Sequence, residues 1–135
     1  MLSPVTISLV CTGGRSFGED RAPDMVTKRD RSLVYAERKL IIDVLDEYNI
    51  SKISVGDCSG ADFYVRQYAR ERGIPIRVFR AKWNDYGAAA GPMRNGAMLL
   101  ETMPDLTIAF PGNAGTLDCV RQALCFSFKV KRVRL

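Results

Sequence analysis

Short apolar runs alternating with amphipathic stretches set the rhythm of this chain. Residues 5–11 are apolar and β-branched and stop at Thr12-Gly13-Gly14-Arg15, which predicts a buried strand delivering a glycine turn. Residues 16–31 are charged, contain Gly18 and Pro23, and are read as a mobile surface loop. From 32 to 48, Leu33, Leu40, Ile41, Val44, Leu45 and Tyr48 recur at helical spacing between Glu, Lys and Arg, predicting an amphipathic helix. Ile53 and Val55 mark a second strand. A turn over 56–62 leads from it into a helical stretch with Ala61, Val65, Tyr68 and Ala69 on one face, ended by Gly73 as a left-handed cap. Residues 75–79 read as a third strand. A polar loop from 82 to 87 then precedes a helix whose first turn suits Pro92, and Pro104 follows its end. Residues 106–110 form a fourth apolar run. A loop bearing Gly112 and Gly115 comes next, then a helical pattern opened by Thr116 with Val120, Ala123 and Leu124 on one face, and residues 128–133 supply a last strand.

Five strands alternating with four helical segments predict an α/β fold, a Rossmann-like three-layer sandwich around a mostly parallel sheet of order 3-2-1-4-5. In that order the loops after strands one and four flank the switch point, where ligands bind in such sheets. The strand–loop–helix unit over 105–123 is the organising one. Its loop N–H groups and first helical turn point at one spot with the positive end of the helix dipole behind them, which suits an anion and phosphate above all. Turn-making alone also accounts for Gly112 and Gly115.

The 135 residues are read as one domain, long enough to bury about two-thirds of the unfolded surface. The four cysteines show no C-x-x-C spacing and are read as reduced thiols, which with the lack of an export signal or long apolar run predicts a soluble, cytoplasmic protein and no membrane partner. Net charge is +5, with Lys129, Lys131, Arg132 and Arg134 crowded at the end, either a solvated basic tail or an attraction for anionic partners. The chain has no histidine. That excludes serine–histidine and cysteine–histidine nucleophile pairs, histidine-ligated zinc and imidazole acid–base chemistry. No metal or cofactor is expected.

The succession Thr12-Gly13-Gly14-Arg15, Gly56-x-x-x-Gly60-Ala61-Asp62, Ala81-x-Trp83-x-x-Tyr86-Gly87, Ala90-Gly91-Pro92-x-Arg94-Asn95-x-x-Met98 and Ala109-Phe110-Pro111-Gly112-x-x-Gly115-Thr116 resembles the small YspA-type members of the SLOG superfamily over nearly the whole chain. That superfamily includes the Lonely Guy phosphoribohydrolases, a DNA-processing protein that handles single strands, and sensors of nucleotide-derived signals in bacterial and phage conflict systems. The resemblance implies a phosphate-binding loop at Pro111, Gly112, Asn113, Ala114, Gly115 and Thr116, and puts Arg94 where the phosphoribohydrolases keep an arginine required for activity. Their catalytic glutamate falls at Cys119, with Asp118 one residue before it. One residue on a helix is a rotation of about 100°, so Asp118 does not simply replace that glutamate. Most relatives carry Gly-Gly-Arg where Gly112, Asn113 and Ala114 stand, and many carry an arginine at Ser59. The losses imply a less charged ligand or weaker binding, with Asn113 able to supply the left-handed backbone of a glycine.

The candidate site then comprises Thr12, Gly13, Gly14, Arg15, Gly60, Asp62, Trp83, Tyr86, Arg94, Asn95 and the 111–116 loop. Arg94 near a helix start is expected to meet a ligand anion; the competing role is an ion pair with Asp57 or Asp62. Trp83 and Tyr86 are read as stacking on a base, or Trp83 as capping the core. Asp62 is placed to bond a ribose hydroxyl, assist a hydrolytic water or complement the helix dipole. Three functions follow in order: binding of a nucleotide or nucleotide derivative (NAD- or ADP-ribose-like, or a cyclic nucleotide) by a sensor or sequestering protein; N-glycosidic hydrolysis of a nucleoside phosphate with Arg94, Asp62 or Asp118 as catalytic residues; and single-stranded DNA binding. Relatives often self-associate, so an oligomer is expected.

Overall fold

A computed structural model describes residues 5–135. Its strands are β1 (Ile7–Thr12), β2 (Ile50–Gly56), β3 (Ile76–Phe79), β4 (Leu106–Ala109) and β5 (Val130–Arg132), all paired in parallel in the order β3-β2-β1-β4-β5. Its helices are α1 (Arg31–Leu45), α2 (Ala61–Arg72), α3 (Trp83–Tyr86), α4 (Ala90–Thr102) and α5 (Ala114–Cys125). The strand order is the one predicted. The loop expected over 82–87 holds the single turn α3, continued by a tight turn over Gly87–Ala89.

Alternation along the strands divides the core into two layers. Leu9 and Cys11 of β1, Ile53 and Val55 of β2, and Ile108 of β4 pack with Ile41, Val44 and Leu45 of α1 and Val65 and Ala69 of α2. Val10 joins Met98 and Leu99 of α4 and Cys119 and Ala123 of α5 in the other layer. That second layer carries more small and polar groups. Ser54 accepts a hydrogen bond from Thr102 at 2.8 Å, and Thr107, fully buried, keeps a hydroxyl oxygen with no partner. Leu124, expected inward on α5, is exposed, because the core side of that helix passes through Thr116, Cys119, Val120 and Ala123.

The helices end where local chemistry stops them. Asp30 caps α1 by accepting the Leu33 N–H at 3.0 Å. Gly73 closes α2 at φ +66°, the left-handed cap predicted. Outermost in the sheet lies β5, whose Lys131 reaches back to Glu47 at 2.8 Å.

The charged segment before α1 is fastened more firmly than a mobile loop. Glu37 of α1 is buried and accepts the Gly18 N–H at 2.8 Å and both Arg29 Nη groups at 2.7 and 2.9 Å. Arg29 also donates to the Ser16 carbonyl at 2.7 Å. Farther out, a single antiparallel bridge joins Arg21 and Lys28. Two residues eight apart in sequence therefore clip the segment over the end of the sheet. Removing Glu37 leaves the part-buried Arg29 charge and the Gly18 N–H without their acceptor, so Glu37→Ala should lower unfolding free energy by roughly 2–3 kcal/mol. A urea titration against the wild type checks this.

Candidate functional site

The two glycine turns meet where the strand order reverses. Phe110 N–H donates to the Thr12 carbonyl at 2.8 Å and Gly14 N–H donates to the Pro111 carbonyl at 2.9 Å, so the loop after β1 is bonded to the loop after β4. Gly112 is a matter of room: a Cβ there would run into the Thr116 hydroxyl and stand 2.7 Å from the Gly14 nitrogen. Because the loop doubles back so tightly, α5 opens at Ala114, two residues before Thr116. Asn113 precedes it at φ −108°, so the left-handed backbone expected of it is not used.

These turns and the openings of α4 and α5 enclose a cleft of about 710 Å³. Thr12, Gly13, Gly14 and Arg15 line it from β1, and Pro111 through Thr116 line it from β4, with Asp62, Trp83, Arg94, Asn95 and Asp118 between them. Gly60 and Tyr86 lie outside that lining. Gly60, at φ +73°, lets α2 close on the β1 turn, where any side chain would strike the Gly14 and Arg15 backbone. Tyr86 is half exposed on the outer side of the mouth. Sequence reasoning missed Phe17, Pro23, Arg29 and Glu37, which line the cleft together with Cys58 of the turn before α2. Nothing in the spacing of those four signals it, because the 16–30 segment reaches the cleft only through the Glu37 clip.

Three helix openings differ in how their N–H groups are used. At α2, Ala61 N–H donates to the Gly14 carbonyl at 3.0 Å, Gly60 N–H to Glu19 at 2.8 Å, and Asp62 lies in the first turn. The first turns of α4 and α5 contain no acidic residue and no side-chain cap. Helix α4 runs on from the turn over Gly87–Ala89, whose Gly87 carbonyl accepts the Ala90 N–H, and Pro92 has no N–H, so it is the first N–H groups of α5 that lack an intrahelical partner and open on the cleft.

The charged groups divide into spent and unspent. Arg94 sits in the lining with its guanidinium already engaged: Nη1 donates to Asp57 at 3.1 Å and to the Phe79 carbonyl at 3.4 Å, and Nε to Asn95 at 3.0 Å. The competing ion pair with Asp57 is thus formed. Asp118 accepts from Asn95 at 3.0 Å and from Gln122 at 2.8 Å, so it braces α4 against α5. The Cys119 thiol is fully buried, and burial pushes its pKa up to about 12. Arg15 is exposed, makes no side-chain hydrogen bond or ion pair among the described residues, and lies 5.2 Å from the centre of the Trp83 ring. Trp83 is 42% exposed and covers Gly91 of α4, so it does not cap the core.

Asp62 is the exception among the carboxylates. It is 5% exposed, yet its one hydrogen bond comes from the Cys58 N–H at 3.3 Å. Gly56, at the end of β2, leaves the space it needs: a Cβ there would stand 2.5 Å from both Asp62 Oδ2 and Arg94 Nη1. The two groups are neighbours across that notch, but no ion pair or hydrogen bond joins them. Burial pushes the Asp62 pKa up to about 6 against the pull of Arg94, the Cys58 N–H and Arg66, with Asp57 adding to the rise.

The sequence matches no protein-family model and no curated protein. Among solved structures, UDP-GlcNAc 2-epimerase from Neisseria meningitidis bound to UDP-GlcNAc is similar in fold, with a TM-score of 0.51 and 13% identity over 93% of this chain. The chain spans 31% of that structure's length. At this identity the likeness establishes a Rossmann-like fold. No helix among the described residues is long and apolar enough to cross a membrane.

The raised Asp62 pKa carries a stability consequence of definite sign. The folded state holds the proton more tightly than the unfolded state, so stability falls as pH rises from the ordinary value of 3.8 to about 6 and stays reduced above it. Asp62→Asn removes this penalty. The variant should match or exceed the wild type by about 1–3 kcal/mol at pH 8, with the difference fading below pH 4, as measured by urea unfolding across pH.

Proposed function

We propose that this chain binds a nucleotide or nucleotide-derived ligand in the cleft at the switch point, as a sensor or sequestering protein of SLOG type. The observation that carries the reading is the convergence of the uncapped, acid-free opening of α5 and of Arg15, which no carboxylate engages among the described residues, on one cleft with an exposed tryptophan at its mouth. The α5 opening and Arg15 suit a phosphate; Trp83 offers a ring face to a base. Lining carboxylates at Asp62, Asp118 and Glu37 balance the lining arginines Arg15, Arg29 and Arg94, so a lightly charged ligand fits better than a polyphosphate. The epimerase of similar fold, solved with UDP-GlcNAc bound, lends support, since UDP-GlcNAc is itself a nucleotide derivative.

A second reading, hydrolysis of an N-glycosidic bond in a nucleoside phosphate, rests on Asp62. A buried carboxylate whose proton leaves near neutrality suits a general base for the water that attacks C1′ as the base departs. Asp118 suits that role less, because Asn95 and Gln122 hold it, and Cys119 points into the core.

The test is thermal shift against AMP, ADP-ribose, cyclic ADP-ribose, NAD, cyclic dinucleotides and a short single-stranded DNA, each mixture then chromatographed for free base. Binding without a new product supports the sensor reading; released base moves the assignment to the hydrolase. A shift from DNA alone that fades steeply with salt would replace both. Gly115 supplies the sharpest variant, because a Cβ there meets nothing within 4 Å. Gly115→Asp should keep the wild-type melting temperature while weakening nucleotide binding at least tenfold, by placing a carboxylate where the anion sits. Calorimetric titration measures the loss.

A further inference from the structure

We infer that Asp62 recognises a hydroxyl of the ligand's sugar, which makes the cleft selective for ribose over deoxyribose. The inference rests on the nucleotide reading of the cleft and specifies which nucleotides it accepts.

The argument starts from an imbalance in hydrogen bonding. A carboxylate offers about four acceptor positions, and buried ones are ordinarily filled. Asp62 uses one of them, for the Cys58 N–H, although its side chain is buried. Arg66, on the same helix, gives its guanidinium to the Gly56 and Cys58 carbonyls at 2.8 and 3.1 Å. Arg94 is occupied by Asp57, Phe79 and Asn95. Those bonds direct these donors elsewhere, with Arg94 Nη2 reaching the Cys58 sulfur at 4.0 Å, and the carboxylate's spare capacity opens on the cleft that it lines.

An occupant of that position must donate a hydrogen bond. It must also tolerate the Arg94 guanidinium beside it, which a cationic amine would not. A neutral hydroxyl meets both conditions, donating to Asp62 while turning a lone pair toward the arginine. Position supports a sugar. Asp62, in the first turn of α2, faces Gly56 at the end of β2, and the anion-ready opening of α5 follows β4, with only β1 between, so the two lie about two strand spacings apart, roughly 10 Å. A single nucleotide with its phosphate at α5 and its ring near Trp83 brings its sugar toward Asp62.

Matched pairs of ribonucleoside and 2′-deoxyribonucleoside monophosphates (AMP, GMP, CMP and UMP, with dAMP, dGMP, dCMP and dUMP), together with 3′-deoxy-AMP, test this by calorimetric titration. The expected result is a 10- to 100-fold preference for the ribose member of any pair that binds, the effect of one hydrogen bond to a charged group. Asp62→Ala, which removes both acceptor oxygens, should flatten that ratio to within about threefold. The ratio is internal to each protein, so a general loss of folding cannot imitate its disappearance, and the wild-type comparison stands without the variant. Equal binding of ribose and deoxyribose members, or a preference that survives in Asp62→Ala, overturns the inference and leaves the nucleotide reading in place. Failure of every member to bind overturns the nucleotide reading and the inference with it.

Discussion

Everything in the cleft depends on the hydrogen bond from Gly14 to the Pro111 carbonyl and its neighbour from Phe110 to Thr12. Parallel strands diverge at their ends once their ladder stops, and their loops usually go separate ways. Here two strands adjacent at the switch point continue to bond beyond the sheet, so two loops become one surface. Gly112 is confined by that closeness, α5 opens early because of it, and α2 is drawn in through the Ala61 N–H to Gly14. Contacts of this kind add modest energy singly. Their larger effect is to hold several helix openings in fixed relation before any ligand arrives.

Much of this was legible in the chain. The parallel α/β sheet followed from the alternation of short apolar runs with amphipathic stretches, and Gly73 announced the end of α2. The loops bearing Thr12 to Arg15 and Pro111 to Thr116 were placed together by topology alone. Three things were not legible, each for a physical reason. Asn113 escaped prediction because the room that Gly112 leaves relieves it of the sharp turn. Arg29 and Glu37 read as ordinary surface charges because only the folded 16–30 segment buries them against each other. Arg94 and Asp62 were visible as residues, but which of the two is satisfied depends on Asp57, Phe79 and Gly56, contributed by β2, β3 and their loops.

That last division changes how the site reads. A motif scan weights arginines heavily in an anion site, yet Arg94 is fixed by protein acceptors while Arg15 is held only by the face of an indole ring. One arginine is committed to the fold and the other leaves its hydrogen-bond donors to the cleft. Asp62 makes the same point with opposite charge, since its neighbours are committed to backbone carbonyls and other carboxylates. Residue type identifies the actors in such a cleft, and hydrogen-bond accounting assigns their parts.

The outer strand β5 bears on how copies of this chain can meet. Its sequence, Val130-Lys131-Arg132, continues into Val133 and Arg134 and follows Lys129, so the open side of the sheet is bordered by cations. Two such borders brought side by side would set like charges against each other at strand spacing, and three residues offer too short a ladder to compensate. Sheet extension from molecule to molecule is disfavoured there, so the short, basic strand β5 works against pairing of a small α/β sandwich through that edge.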